Sequence, residues 1–136
     1  MVNFAKKILK KIIRVFLKIA IKNDSLSKVL TEINIFEIYE KKFFEGNQVY
    51  LIKKNYITKY RNDTIFTKEP ETVDWLKKME PNTIFWDIGA NVGLYSILSS
   101  LSNSRLVVSF EPSFFNLQIL SKNIFKNNFS EKIIIV

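Results

Sequence analysis

Two short apolar runs set the architecture that this chain can adopt. TIFWDI (83–88) and RLVVSFE (105–111) are apolar on both faces, as strands are when a parallel sheet buries them from either side. VGLYSILSSL between them reads as a helix, and so does SFFNLQILSKNIFKNN after them, with Ser113 at its head as a cap. KIIIV (132–136) then opens a third strand. Strand, helix, strand, helix, strand with right-handed crossovers is half of a Rossmann-like α/β unit.

The upstream residues divide into two further regions. In 1–23 seven basic residues (Lys6, Lys7, Lys10, Lys11, Arg14, Lys18, Lys22) share one side of a helix, and Ile8, Leu9, Ile12, Ile13, Val15, Phe16, Ile19 and Ala20 take the other. Basic residues interrupt the apolar ones too often for a membrane span or a signal peptide. Such a helix suits an anionic membrane surface, as a peripheral contact on the inner face of the membrane through residues 1–22, or docking on a protein core or partner. In 24–80, Asp24 and Ser25 cap a second helix expected to run to Gly46. QVYLI and NYITKYR, separated by KKN, suggest a hairpin or two short strands. EPETVDWLKKME reads as a helix with Pro70 in its first turn, ended by Pro81. The third region, 81–136, is the α/β unit.

Composition excludes several functions. The 136 residues suffice for one small domain with a core, and 47% hydrophobic content rules out disorder. Without cysteine there is no disulfide framework or thiolate metal site, and without histidine the commonest base and metal ligand are missing. The net charge of +8 belongs to residues 1–23, since the remainder holds 14 basic and 13 acidic residues. The lysine-rich bias with abundant Ile, Asn and Phe further weakens a nucleic-acid reading, and no nucleic-acid partner is expected.

Chemistry concentrates in FWDIGANVGLYS (85–96). Gly89 and Gly93, with Ala90 the smallest substitute between them, bare the main chain where a parallel strand meets its helix, so that a ligand can approach closely. Glu111, 22 residues after Gly89 at the end of the next strand, is placed to hold ribose hydroxyls. Gly89-x-x-x-Gly93 with Asn91 in the middle departs from the dinucleotide fingerprint G-x-G-x-x-G, and no Gly-Lys-Ser/Thr of a P-loop follows. Asp87 would repel a pyrophosphate and favour a ligand bearing an ammonium or sulfonium. S-adenosylmethionine carries both, and its adenosine suits Glu111. A nicotinamide-dependent oxidoreductase is the alternative that Asp87 and Asn91 disfavour.

DIGANVGLYS, SFEP and LSKNIFKNN, with KEPETVDWL upstream, resemble the FkbM family of S-adenosylmethionine-dependent methyltransferases over about half the chain. The resemblance implies a class I methyltransferase fold of seven strands, of which only the first three are present, preceded by α+β elements. It implies an enzyme with a small-molecule or glycan hydroxyl as acceptor, and a cytoplasmic location is expected. Carried over by residue, Asp87, Gly89, Asn91 and Gly93 form the methionine-side loop, Glu111 binds ribose, and Glu69 and Thr72 line the same pocket. No general base is identifiable, so the catalytic residue is unknown. The chain is expected to be a fragment inactive by itself, the other outcome being a non-catalytic remnant that binds a membrane or partner through its first helix.

Overall fold

The computed structural model describes residues 37–136 together with Lys11, Ile12, Val15, Ile19, Lys22 and Ser25. Those six residues are helical and exposed. The rest of the basic helix expected over 1–23, and of the helix expected from 25 onward as far as residue 36, lies outside the described residues. Among the described residues no helix is long and apolar enough to cross a membrane. The chain forms two units, Met1–Ile38 and Tyr39–Val136, and the second carries the α/β fold.

Where a helix was expected to reach Gly46, the chain instead forms a hairpin. Strand β1 (Tyr39–Phe44) pairs antiparallel with β2 (Asn47–Ile52), with Tyr39 opposite Ile52 and Phe44 opposite Asn47. The two linking residues, Glu45 (φ 47°) and Gly46 (φ 79°), both occupy left-handed backbone. That is the type I′ geometry whose twist matches the paired strands, so Gly46 turns a hairpin and stops no helix.

NYITKYR, expected to be extended, is helical. Helix α1 (Tyr56–Thr64) starts from a reciprocal cap. Thr58 N donates to Asn55 Oδ1 at 2.9 Å while Thr58 Oγ1 accepts from Asn55 N at 2.9 Å. These bonds satisfy donors that an uncapped helix start leaves open and override the β-leaning Tyr, Ile and Thr. Buried Asn62 fastens α1 to the hairpin by donating to Ile52 O at 3.0 Å and to Glu40 Oε2 at 3.1 Å. Helix α2 (Pro70–Lys77) forms as expected, with proline in its first turn, where no N–H is needed.

The α/β unit follows the expected order: β3 (Ile84–Ile88), α3 (Leu94–Leu101), β4 (Leu106–Phe110), α4 (Phe114–Lys126), β5 (Ile133–Ile135). The strands form a parallel sheet in the order β3-β4-β5, with Ile84 beside Leu106 and Val107 beside Ile133. Helices α3 and α4 pack on one face of this sheet, as crossovers of one hand that step the same way require. Phe85, Val107 and Ile133 point into that face and are buried with Ile97, Leu98 and Leu120. The opposite face is open. Ile84, Trp86 and Ile88 are 54, 64 and 78% exposed, so β3 is buried on one side only, against the two-sided burial expected from its composition.

The free edge of β2 is satisfied by side chains of α4. Asn123 Oδ1 accepts from Ile52 N at 2.8 Å, and Asn127 Oδ1 accepts from Tyr50 N at 2.9 Å. Asn127 Nδ2 in turn donates to Tyr50 O at 2.7 Å. Two asparagines one helical turn apart thus stand in for a neighbouring strand, which fixes the hairpin against the α/β unit.

Candidate functional site

The glycine loop joins β3 to α3, and most of its amides are used internally. Gly89 N and Ala90 N both donate to Phe110 O at 2.9 Å, and Gly93 N closes a turn on Ala90 O at 2.8 Å. Asn91, at φ 55°, donates its backbone N–H to Glu111 Oε2 at 2.7 Å. The two glycines have different duties. At Gly89 (φ +79°) a Cβ would meet nothing within 4 Å, so the space above it is open to a ligand. At Gly93 (φ +82°) a Cβ would come inside 3.0 Å of Leu120 Cδ1, so this glycine is demanded by packing against α4.

The two acidic residues also differ in what they face. Asp87 is buried and accepts hydrogen bonds from the Ser96 hydroxyl, which also pairs with Ser109 Oγ at 2.7 Å, and from the Ser96 backbone. Its carboxylate sits at the start of α3, where the first-turn N–H groups favour negative charge. Burial nevertheless outweighs the Ser96 bonds and pushes the Asp87 carboxyl above its ordinary value. Asp87 is engaged with the interior hydroxyls and does not line the cleft described below.

Glu111 braces the loop. Its Oε2 holds Asn91 N and its Oε1 accepts from Ser113 N at 2.7 Å. Burial acts to raise this carboxyl, but the Ser113 N–H, the Asn116 side chain, the Asn91 N–H and the Arg61 charge together hold it below its ordinary value. An ionised carboxylate at the tip of β4 is the result, with both oxygens already bonded to main chain.

An open cleft lies over Gly89, Ala90 and Asn91. Its other wall comes from Arg61, Thr64 and Ile65 at the end of α1, from Lys68 and Glu69 ahead of α2, and from Tyr95 of α3. Arg61 donates to the Asn91 side chain, which links the basic wall to the loop. Tyr95 donates to Glu69 Oε2 at 3.1 Å. Burial and then this bond push the Tyr95 hydroxyl up to about 12, so it remains a donor throughout the physiological range. The cleft therefore carries the cations of Arg61 and Lys68 beside the Glu69 carboxylate, which lies 3.6 Å from the Lys68 ammonium and accepts from Tyr95.

Of the residues singled out in the sequence, Glu69, Gly89, Ala90 and Asn91 line this cleft, whereas Asp87, Gly93, Glu111 and Thr72 do not. Arg61, Thr64, Lys68 and Tyr95 were not anticipated. The available signal was the local excess of basic residues in KKNYITKYR, hidden by the near-neutral total for residues after 23.

No protein-family model and no curated protein matches the sequence. Among solved structures the chain is similar to aTrm5 in its complex with tRNALeu, at 22% identity and TM-score 0.51 over 71% of this chain and 27% of that one. It is similar to the tRNA m1G37 methyltransferase of M. jannaschii, at 22% identity and TM-score 0.51 over 74% of this chain and 29% of that one. The protein PH0793 of Pyrococcus horikoshii matches at 14% identity and TM-score 0.52, over 82% and 46% of the two chains. The chain thus spans less than half the length of each. The α/β part is an incomplete Rossmann-like fold of the methyltransferase type. These likenesses overturn the expectation of a small-molecule or glycan acceptor with no nucleic acid, because one protein sharing the fold is held with tRNA and another is a tRNA methyltransferase.

Proposed function

We propose that the chain carries the donor-binding half of an S-adenosylmethionine-dependent methyltransferase. The observation that carries this reading is the cleft over Gly89, which pairs open space with groups of both charges. The amino-acid end of S-adenosylmethionine is a zwitterion beside a sulfonium. Its carboxylate suits Arg61 and Lys68, and its cationic groups suit Glu69. The resemblance of DIGANVGLYS to the FkbM motif supports the same donor.

The bound donor would supply a methyl group on positively charged sulfur, transferred by in-line displacement. The residues described here bind and orient. Arg61 and Lys68 hold one end, Gly89 keeps the approach clear, and Glu111 fixes Asn91 and so the shape of the loop. Positioning of this kind is the main part an enzyme plays in such a displacement. Calorimetric titration of the full chain with S-adenosylmethionine and, separately, with NADH tests the reading. Saturable heat with the first and none with the second is expected. The reverse pattern would end the methyltransferase assignment.

A further inference from the structure

Helix α1 turns toward solvent a face that donor binding leaves unused. Tyr56, Ile57 and Tyr60 on this face are 80, 56 and 49% exposed. The two tyrosine rings stack on each other with centroids 6.5 Å apart and planes within 23° of parallel. Tyr56, Tyr60 and Thr64 are spaced at four-residue steps and form one stripe along the helix. Thr64 already lines the cleft beside Gly89, so the stripe leads from the open surface into the donor site over about 12 Å.

Charge is concentrated around this stripe. Residues 53–68 contain Lys53, Lys54, Lys59, Arg61 and Lys68 against Asp63 alone, whereas residues 69–136 hold six basic and seven acidic residues. Among the described residues the lysines sit in exposed or half-exposed pairs: Lys59 and Lys42 on Asp63, Lys53 at 4.0 Å from Glu40 and Lys68 at 3.6 Å from Glu69. Such pairs contribute little and yield readily to an incoming phosphate. A membrane-seeking face would be broadly aliphatic. Flat aromatic faces set among lysines instead match an unpaired nucleic-acid strand, whose bases stack on rings while its phosphates meet cations. Duplex RNA keeps its bases stacked within the helix, out of reach of such rings.

We propose that this face of α1 is a platform for single-stranded RNA. Bases stack on Tyr56 and Tyr60, Lys53, Lys54 and Lys59 hold the phosphates, and the strand is led past Thr64 into the cleft. The proposal rests on the reading of the cleft as the donor site, and names the acceptor class for it.

The test is fluorescence anisotropy of a labelled 12-nucleotide mixed-sequence single-stranded RNA titrated with the full chain, with S-adenosylmethionine calorimetry on the same preparations. Tyr56→Ala with Tyr60→Ala should weaken RNA binding by at least about tenfold, since each stacked base contributes that order of affinity. Tyr56→Phe with Tyr60→Phe keeps the rings and should bind like the unaltered chain. Lys53→Gln, Lys54→Gln and Lys59→Gln together should lower the slope of log affinity against log salt by about 2. Unaltered affinity in the double alanine variant would overturn the platform and place the RNA elsewhere, for instance on the basic residues of 1–23. Equal loss in the phenylalanine variant, or no binding by the unaltered chain, would overturn it too. Donor binding without RNA binding removes the platform and leaves the donor reading standing. RNA binding that depends on the two rings, without donor binding, removes the donor reading alone.

Discussion

Gly93→Ala isolates a packing requirement from a ligand requirement. Two costs add at this position. Alanine must enter left-handed backbone at φ +82°, which costs about 1–2 kcal/mol for an L-residue. The new Cβ also falls inside 3.0 Å of Leu120 Cδ1, in a site where Leu120 is fully buried and has little freedom to turn. Overfilling a packed site costs about 1–3 kcal/mol, so the total is about 2–5 kcal/mol. Gly89→Ala meets the same backbone cost at φ +79° but nothing within 4 Å, and should lose only about 1–2 kcal/mol. Urea unfolding followed by circular dichroism measures both. A cycle with Leu120→Ala sharpens the test, because removing Leu120 removes the clash. In that background Gly93→Ala should cost about as much as Gly89→Ala, a coupling of the size expected for residues in contact. If Gly93→Ala proves no costlier than Gly89→Ala, or the cycle is additive, the assignment of Gly93 to packing is wrong.

Other expectations follow from the buried polar groups. Asp87 has a raised folded pKa, so the folded chain binds a proton more tightly than the unfolded one at this site. Its contribution to stability should fall as pH rises from about 3.9, the ordinary aspartate value, through the raised folded value, and level off above it. Asp87→Asn should flatten that part of the profile in melts taken across pH. Glu111→Ala leaves the Asn91 and Ser113 amides without their charged acceptor, each bond being worth about 1.5–3 kcal/mol. It should lower stability in urea unfolding and, by releasing the Asn91 loop, weaken S-adenosylmethionine binding by calorimetry. Asn123→Ala strips partners from Ile52 N and Val92 O and should cost about 2–6 kcal/mol in urea unfolding, at about 1–3 for each group left unpaired.

The β-α-β-α-β order was legible because continuous apolar strands and the Gly89 turn leave few other ways to fold. The hairpin was not. Tyr39, Phe43 and Phe44 also satisfy helical spacing, and Gly46 is as good a helix stop as a hairpin turn. What decides it is the pair of left-handed residues Glu45 and Gly46, and a local turn of that kind leaves only a two-residue trace. Helix α1 was missed because its cap, Asn55 with Thr58, uses residue types outside the commonest capping pattern, while Tyr, Ile and Thr favour strands. The exposed side of β3 was unreadable from its own composition. Apolar residues on both faces describe what a strand can bury, whereas α3 and α4 lie on only one of those faces. Within the site, Gly89, Ala90 and Asn91 were visible as a motif. Arg61, Lys68 and Tyr95 arrive through tertiary folding from separate elements, and no spacing along the chain joins them.

The asparagines of α4 have a consequence for motion. A two-stranded hairpin is marginal by itself, yet here the Tyr50 and Ile52 amides are held by side chains of a core helix. Asn123 also donates to Val92 O in the glycine loop at 2.9 Å, so one side chain clasps hairpin and loop together. The Tyr50 and Ile52 amides should therefore exchange slowly for a hairpin, and Ile52 should open together with the loop. A molecule bound over Gly89 would slow hydrogen exchange at Ile52, in a strand that it never touches.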